Sequence, residues 1–206
     1  MTIVLLIIGA YLLGSIPSAV WIGKRFYGID VRQYGSHNAG ATNTLRVLGK
    51  KAALFVFLID ALKGFAAVSL ASFSPYFAGS DPLFNLKIGL LAAAVFGHIF
   101  PIFAGFKGGK GVATLAGAML AVYWPAVLLC LASFIVILAL TKYVSLSSMS
   151  AGVLLPIYVV FVFGERSTSL IITCCVISLL LIFTHSKNIR RLLNGNEAKI
   201  NFSGRK

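Results

Sequence analysis

Residues 105–114, GFKGGKGVAT, set four glycines and two lysines into the seven positions from Gly105 to Gly111, in a chain otherwise dominated by apolar residues. Glycine-rich backbone brings N–H groups close around an anion, lysines add charge, and a helix beginning near Val112 offers its positive end. Gly105, Lys107, Gly108, Gly109, Lys110 and Gly111 are therefore a candidate phosphate cradle. The stretch is not a nucleotide loop of the G-x-x-x-x-G-K-[ST] form: Ala104 stands where the first glycine belongs, and Gly111 replaces the hydroxyl residue after Lys110. On this segment alone, a tight turn between membrane spans with its lysines at the lipid headgroups is the alternative.

Two further stretches carry polar groups. GSHNAGATNTLRVLG, residues 35–49, gathers Ser36, His37, Asn38, Thr42 and Asn43 among Gly35, Gly40 and small alanines, on backbone a ligand can approach closely. The stretch becomes helix-compatible from about Thr42, with Ser36, Thr42 or Asn43 as candidate cap. One cap accounts for only one of these side chains; Arg46, a turn further on, is either a phosphate ligand or an anchor at the membrane edge. The tail, THSKNIRRLLNGNE over 184–197, spaces His185, Asn188 and Arg191 by three along one side of a helix. Lys187, Arg190 and Arg191 also fit an ordinary stop-transfer cluster. Within the apolar runs, Asp60 and Lys63 are spaced to pair with each other, and His98 is expected to be structural.

Apolar helices must position these stretches. The 206 residues are 59% hydrophobic and 11% charged, with a mean hydropathy of +0.95, more apolar surface than a soluble domain of this length can hide. The apolar runs have lengths near the ~20 residues that cross a bilayer as helix. The fold class expected is an all-α polytopic integral membrane protein with seven transmembrane helices, over 2–22, 52–73, 86–104, 112–124, 126–141, 145–163 and 168–184. Five is the alternative, with long spans over 112–141 and about 149–184. The first run lacks a preceding lysine or arginine and a small-x-small site, so it reads as a retained helix, not a cleaved leader.

The net charge is +13, yet no basic face interleaved with exposed aromatics speaks for nucleic acid. Fourteen of the eighteen basic residues fall in three segments: Lys24, Arg25, Arg32, Arg46, Lys50 and Lys51; Lys107 and Lys110; Lys187, Arg190, Arg191, Lys199, Arg205 and Lys206. The positive-inside rule makes these cytoplasmic, with the N-terminus outside and the C-terminus cytoplasmic. Cys130, Cys174 and Cys175 lie within apolar runs and indicate neither a disulfide framework nor a zinc site. Without an internal repeat or linker, residues 1–206 read as a single membrane-embedded domain.

With GSHNAGATNTLR, GHIFPIFAGFKGGKGVAT and HSKNIRRLLNGNE in this order, the chain resembles, essentially end to end, the bacterial acyl-phosphate-dependent glycerol-3-phosphate acyltransferases, the PlsY family. The resemblance implies transfer of a fatty acyl group from long-chain acyl phosphate to the sn-1 hydroxyl of glycerol-3-phosphate, giving lysophosphatidic acid and phosphate. This is the first acylation of phospholipid synthesis, placed among the lipids of the bacterial inner membrane with its active site on the cytoplasmic face. A seven-helix core, no coenzyme A, no cofactor and no metal are implied as well. Carried over by motif, Ser36 and Arg46 are activity residues of the first motif; Gly105, Lys107, Gly108, Gly109, Lys110 and Gly111 bind glycerol-3-phosphate; His185, Asn188 and Glu197 form the third motif. Ser36, Arg46, His185 and Asn188 are thus the catalytic candidates. Asn38, Thr42, Asn43, the glycine-loop residues and Glu197 are the substrate-binding candidates, with Glu197 weighted toward integrity over chemistry.

The chemistry agrees with the residues. An acyl phosphate already carries a good leaving group, and no Ser-His-Asp or Cys-His arrangement is discernible, which favours direct attack by the glycerol hydroxyl over an acyl-enzyme. A substrate phosphate oxygen takes the proton, with His185 as the protein candidate. The rival class is an organic-phosphate or anion transporter, for which internal repeats and a midplane site are expected. A small structural membrane protein leaves the three polar stretches unexplained.

Overall fold

The computed structural model describes residues 1–200; Arg205 and Lys206 of the basic tail lie outside the described residues. Among the described residues the secondary structure is helical: α1 Thr2–Gly14, α2 Ser18–Tyr27, α3 Ala41–Leu48, α4 Lys50–Ser69, α5 Asp81–Ile99, α6 Val112–Thr141, α7 Val144–Ile157, α8 Thr168–Thr184 and α9 Ser186–Leu193. Side-chain caps mark two of the starts: Ser80 Oγ accepts from the Leu83 N–H at α5, and Ser167 Oγ from the Leu170 N–H at α8.

Among the described residues seven spans do not form; four helical stretches there are long and apolar enough to cross a bilayer: Lys50–Phe73, Asp81–Ala104, Val112–Thr141 and Val144–Val162. The number reaches six if α1 with α2, bent by 42°, and α8 with α9, bent by 60°, each count as one span. The expectation of seven is corrected to between four and six, and the orientation counted from seven crossings, N-terminus outside and C-terminus cytoplasmic, loses its basis. The discrepancy starts at Trp124-Pro125, expected to separate spans 112–124 and 126–141. The two segments are helices that meet at a kink, at non-helical Tyr123 (φ −151°, ψ 75°), with no loop between them, and together they form the single long apolar stretch Val112–Thr141. Pro125 follows that break by two residues, in the first turn of the second segment, where its missing N–H leaves no intrahelical bond unmade. The alternative long span over 112–141 agrees with α6; its companion over about 149–184 does not, because α7 and α8 are separated around Gly164, at φ +65°.

The chain packs as two compact units that divide after Tyr123. In the first, α1 packs along α5 and α4, and α4 against α5. Their shared core is Ala10, Ala67, Ala71, Leu86, Leu90 and Ala94. Small residues suit this role because helices in lipid associate through close van der Waals approach, not through exclusion of water. The approach is reciprocal: a Cβ at Gly14 would overlap the Ala94 backbone and one at Gly97 the Tyr11 carbonyl, while Gly64 faces the Thr114 carbonyl and Gly117 that of Ala61. Helix α4 turns Leu58 and Leu62 outward and buries Asp60 and Lys63, which pair at 2.8 Å. Burial in apolar surroundings is tolerable for such charges because each has its partner.

In the second unit α7 packs on α8, and Ser178 Oγ donates to the Gly152 carbonyl at 2.6 Å. Pro156 precedes a π-helical turn, Tyr158–Val162, that closes α7, a local widening often found where the regular ladder is interrupted.

Candidate active site

The first loop follows α2, which ends in left-handed Gly28 (φ +69°). Asp30 then caps a single 3-10 turn, its Oδ1 accepting from the Arg32 N–H at 3.0 Å. The Arg32 guanidinium returns a two-pronged grip, Nε to Asp30 Oδ1 at 3.0 Å and Nη2 to Oδ2 at 2.8 Å. Its Nη1 crosses to the glycine loop, donating to the Ala104 carbonyl at 2.7 Å and the Lys107 carbonyl at 3.2 Å. A planar fork is what allows one side chain to bind a carboxylate and two carbonyls together. The Arg32 hydrogen bonds hold the Asp30 carboxyl at about 2 despite an opposing contribution from burial.

Asn43, in α3 and 1% exposed, is the hub of this loop. Its Nδ2 donates to the carbonyls of Val31 (2.8 Å) and Tyr34 (3.1 Å), and its Oδ1 accepts from Ser36 N–H (2.7 Å) and Ser36 Oγ (3.1 Å). Ser36 and Asn43 are thus brought together: the amide oxygen holds the serine through its N–H and its hydroxyl, while both amide donors tie the 31–34 turn. Gly40, not Ser36, Thr42 or Asn43, occupies the cap position of α3. Asn38 lies ahead of that cap, Thr42 in the first turn, and Arg46 is exposed in the last turn.

The glycine loop follows α5. Gly105 (φ +63°) and Phe106 (φ +59°) are left-handed in succession, and the Phe106 N–H donates to the Pro101 carbonyl at 2.9 Å. His37, in the first loop, is likewise left-handed at φ +57°. Each loop therefore contains a non-glycine residue in a conformation that costs free energy, a feature concentrated at functional sites. Gly108 and Gly109 donate their N–H groups at 3.1 Å to the carbonyls of Ile99 and His98. Two of the amides expected to face an anion are therefore engaged by the end of α5. Lys107 is exposed and Lys110 half-buried, just ahead of the first turn of α6. Gly111, buried at φ +86°, starts that helix, its carbonyl accepting from Leu115 at 2.7 Å. Between the loops lies an open pocket of about 490 Å³, lined by Asp30, Arg32, Gln33 and His37 on one side and Ala104, Gly105, Lys107 and Gly108 on the other.

In the second unit, His185 stands at the head of α9, 3% exposed, with Nδ1 at 2.8 Å from the Leu181 carbonyl. A carbonyl can only accept, so Nδ1 carries a proton. Glu197, 6% exposed, receives Asn188 Nδ2 (2.7 Å) and Ser145 Oγ (2.8 Å) on Oε1, and Arg191 Nε (2.7 Å) on Oε2. Burial pushes its carboxyl up, but the hydrogen bonds from Arg191, Asn188 and Ser145 outweigh this and leave it below the usual range. Asn188 and Glu197 are thus joined, and through Ser145 they fasten the tail to the start of α7. Among the described residues no three His, Cys, Asp or Glu side chains gather to hold a metal ion.

Sequence reasoning counted Arg32 only as inside-positive charge, and passed over Asp30 and Ser145. A usable signal was present: the chain has five acidic residues against eighteen basic ones, and three of the five, Asp30, Asp60 and Glu197, each anchor a cation.

The family model for glycerol-3-phosphate acyltransferase matches residues 4–195. A glycerol-3-phosphate acyltransferase of Prochlorococcus marinus is 46% identical over 198 residues, covering 96% of this chain and 98% of its own length. The crystal structure of PlsY, an integral membrane glycerol 3-phosphate acyltransferase, aligns in its glycerol 3-phosphate form with a TM-score of 0.85 at 39% identity, over 98% of this chain and 96% of that one. Its lysophosphatidic acid form aligns with a TM-score of 0.83 at 38% identity and the same coverage. Matched over almost its whole length in sequence and in fold, the chain belongs to the PlsY family of glycerol-3-phosphate acyltransferases.

Proposed function

We propose that the pocket between the 30–37 and 104–108 loops receives the phosphate of glycerol-3-phosphate, with Lys107 of its lining supplying charge; Lys110 and, through its planar fork, Arg46 are the further phosphate ligands of this proposal. The protein is a bacterial, multi-pass membrane acyltransferase; it transfers an acyl group from acyl phosphate to glycerol-3-phosphate, forming lysophosphatidic acid. In the step proposed here, the sn-1 hydroxyl oxygen attacks the acyl carbonyl carbon, the bond from that carbon to the phosphate oxygen breaks, and phosphate departs. The hydroxyl proton passes to an oxygen of the departing phosphate. No protein nucleophile is required because the donor is already activated. Ser36, held by Asn43, orients substrate, and Asn188 and Glu197 hold the tail in shape. Residues 1–206 act as one acyltransferase domain, and the pocket opens to the cytoplasm, where positively charged loops are retained.

Arg32 is the observation that carries this reading: one guanidinium grips Asp30 and two glycine-loop carbonyls, fixing two phosphate-receptive segments around one pocket. The test is purified protein in detergent, given acyl phosphate and glycerol-3-phosphate. Phosphate and lysophosphatidic acid should appear in equal amounts; the absence of both from well-folded protein refutes the proposal.

A further inference from the structure

A second polar system lies in the interior of the first unit. Lys63 Nζ donates to the Ile16 carbonyl at 2.7 Å, at the break between α1 and α2, and pairs with Asp60 Oδ1 at 2.8 Å. Ser18 Oγ donates to the same Asp60 oxygen at 2.7 Å. Beyond Asp60 stands His98 of α5, its Nδ1 3.6 Å from Asp60 Oδ1 and 3.1 Å from Thr114 Oγ1 of α6. Asp60, Lys63, His98 and Thr114 are 1%, 5%, 6% and 0% exposed. Buried polar groups satisfied by one another in this way are rigid, because releasing any of them strands a partner away from water. The far end of this network is the glycine loop. The His98 and Ile99 carbonyls accept from Gly109 and Gly108, and a Cβ at Gly109 would overlap His98 Nε2.

We propose that His98 is the positioning residue of the glycine loop: its ring, held by Thr114 and Asp60, is the floor on which Gly109 rests, and glycine is required at 109 by that ring and not by the ligand. An L-residue at 109 must push the ring from its partners or lift the loop from α5, displacing Lys107 and Lys110 on either side. His98 acts through the loop and need not touch substrate. The inference rests on the loop being the glycerol-3-phosphate site.

A double-mutant cycle separates the two demands on Gly109. The Michaelis constant for glycerol-3-phosphate and kcat are measured by phosphate release at saturating acyl phosphate for the wild type, His98→Ala, Gly109→Ala and the double variant. With His98 present, Gly109→Ala should raise KM on the order of tenfold and change kcat less, as expected when an overpacked contact displaces a binding loop. In the His98→Ala background the same change should cost less than about threefold, because the obstructing ring is gone. Equal factors in both backgrounds, or an unchanged KM in His98→Ala, would overturn the assignment. If Gly109→Ala yields no inserted protein, the cycle is read on the amount of inserted protein: recovery in the double variant supports the ring contact, and equal loss in both backgrounds refutes it. Folded wild type that releases no phosphate would refute the function of the loop, and the cycle on inserted protein then judges His98 alone.

Discussion

Asn43→Ala tests whether a buried amide, one side chain removed from the chemistry, sets the rate. The substitution deletes four hydrogen bonds of 2.7–3.1 Å, two to carbonyls of the 31–34 turn and two from Ser36. At about 1 kcal/mol net for each, their sum is roughly 4 kcal/mol. Tyr34 is exposed and Ser36 half-buried, so water replaces some of the lost partners, which brings the loss to about 2 kcal/mol. If that energy is what holds Ser36 in the productive arrangement, kcat/KM falls by a factor of about 30. The fall belongs chiefly to kcat, since an amide with every polar atom occupied by protein has none to offer a ligand. Steady-state phosphate release provides the constants, and thermal unfolding of the same preparation separates local misplacement from global loss. Because Asn43 acts through Ser36, Ser36→Ala with Asn43→Ala should be no slower than Ser36→Ala alone. An Asn43→Ala enzyme within threefold of wild type, or a loss confined to KM for glycerol-3-phosphate, would refute the positioning role.

Arg32→Lys retains the charge but cannot hold Asp30 and two carbonyls at once; KM for glycerol-3-phosphate should rise about tenfold in steady-state kinetics, and an unchanged value would remove Arg32 as the clamp between the loops. Arg46→Lys should lower the rate by on the order of 10²–10³ if the fork stabilises charge on departing phosphate, whereas a simple membrane-edge anchor would tolerate lysine with near wild-type phosphate release. Lys107→Cys in sealed vesicles should react with an impermeant thiol reagent only from the cytoplasmic side; reaction only from the opposite side would overturn the proposed face. The Asp30 carboxyl, held at about 2 against its ordinary 3.8, contributes stability that is present above its unfolded value and lost as pH falls through the folded one. The gap in thermal midpoint between wild type and Asp30→Asn should therefore be constant near neutrality and close between about pH 4 and pH 2, and a gap unchanged at pH 2 would refute the ion pair's role.

Elements whose limits are set by contact with lipid were legible in the sequence. The run 52–73 became α4 with its 3-10 extension to Phe73, and 145–163 became α7 with its π turn, because a helix is the local answer to an apolar run in hydrocarbon. Pro125 was harder to interpret, since proline interrupts a helix in the same way whether the chain then turns back or continues, and only packing decides. The glycines at 108 and 109 were read as backbone curled around an anion, whereas their N–H groups meet the carbonyls at the end of α5, a neighbour that only the packing of the loop determines. Asn43 was selected as one polar residue among several in the 35–49 stretch; that all its polar atoms turn inward depends on where Val31, Tyr34 and Ser36 come to lie, which no spacing encodes. The order of the three polar stretches was enough for the family, because family membership is a property of the linear chain.

The glycine-lined seam between α1 and α5 also constrains how the protein is made. Gly14 rests on Ala94, 80 positions further along the chain, and at ~5–20 residues/s a ribosome needs roughly 4–16 s to cover that distance. During that interval α1 waits in the bilayer with its bare strip uncovered. Helix α4 is synthesised earlier and also packs on α1, through Ala10, Ala67 and Ala71. It therefore acts as a holding partner that keeps α1 from straying toward other small-faced helices until α5 arrives. A bulky side chain at position 14 would accordingly reduce the amount of assembled enzyme recovered from the membrane, while the molecules that do assemble turn over normally.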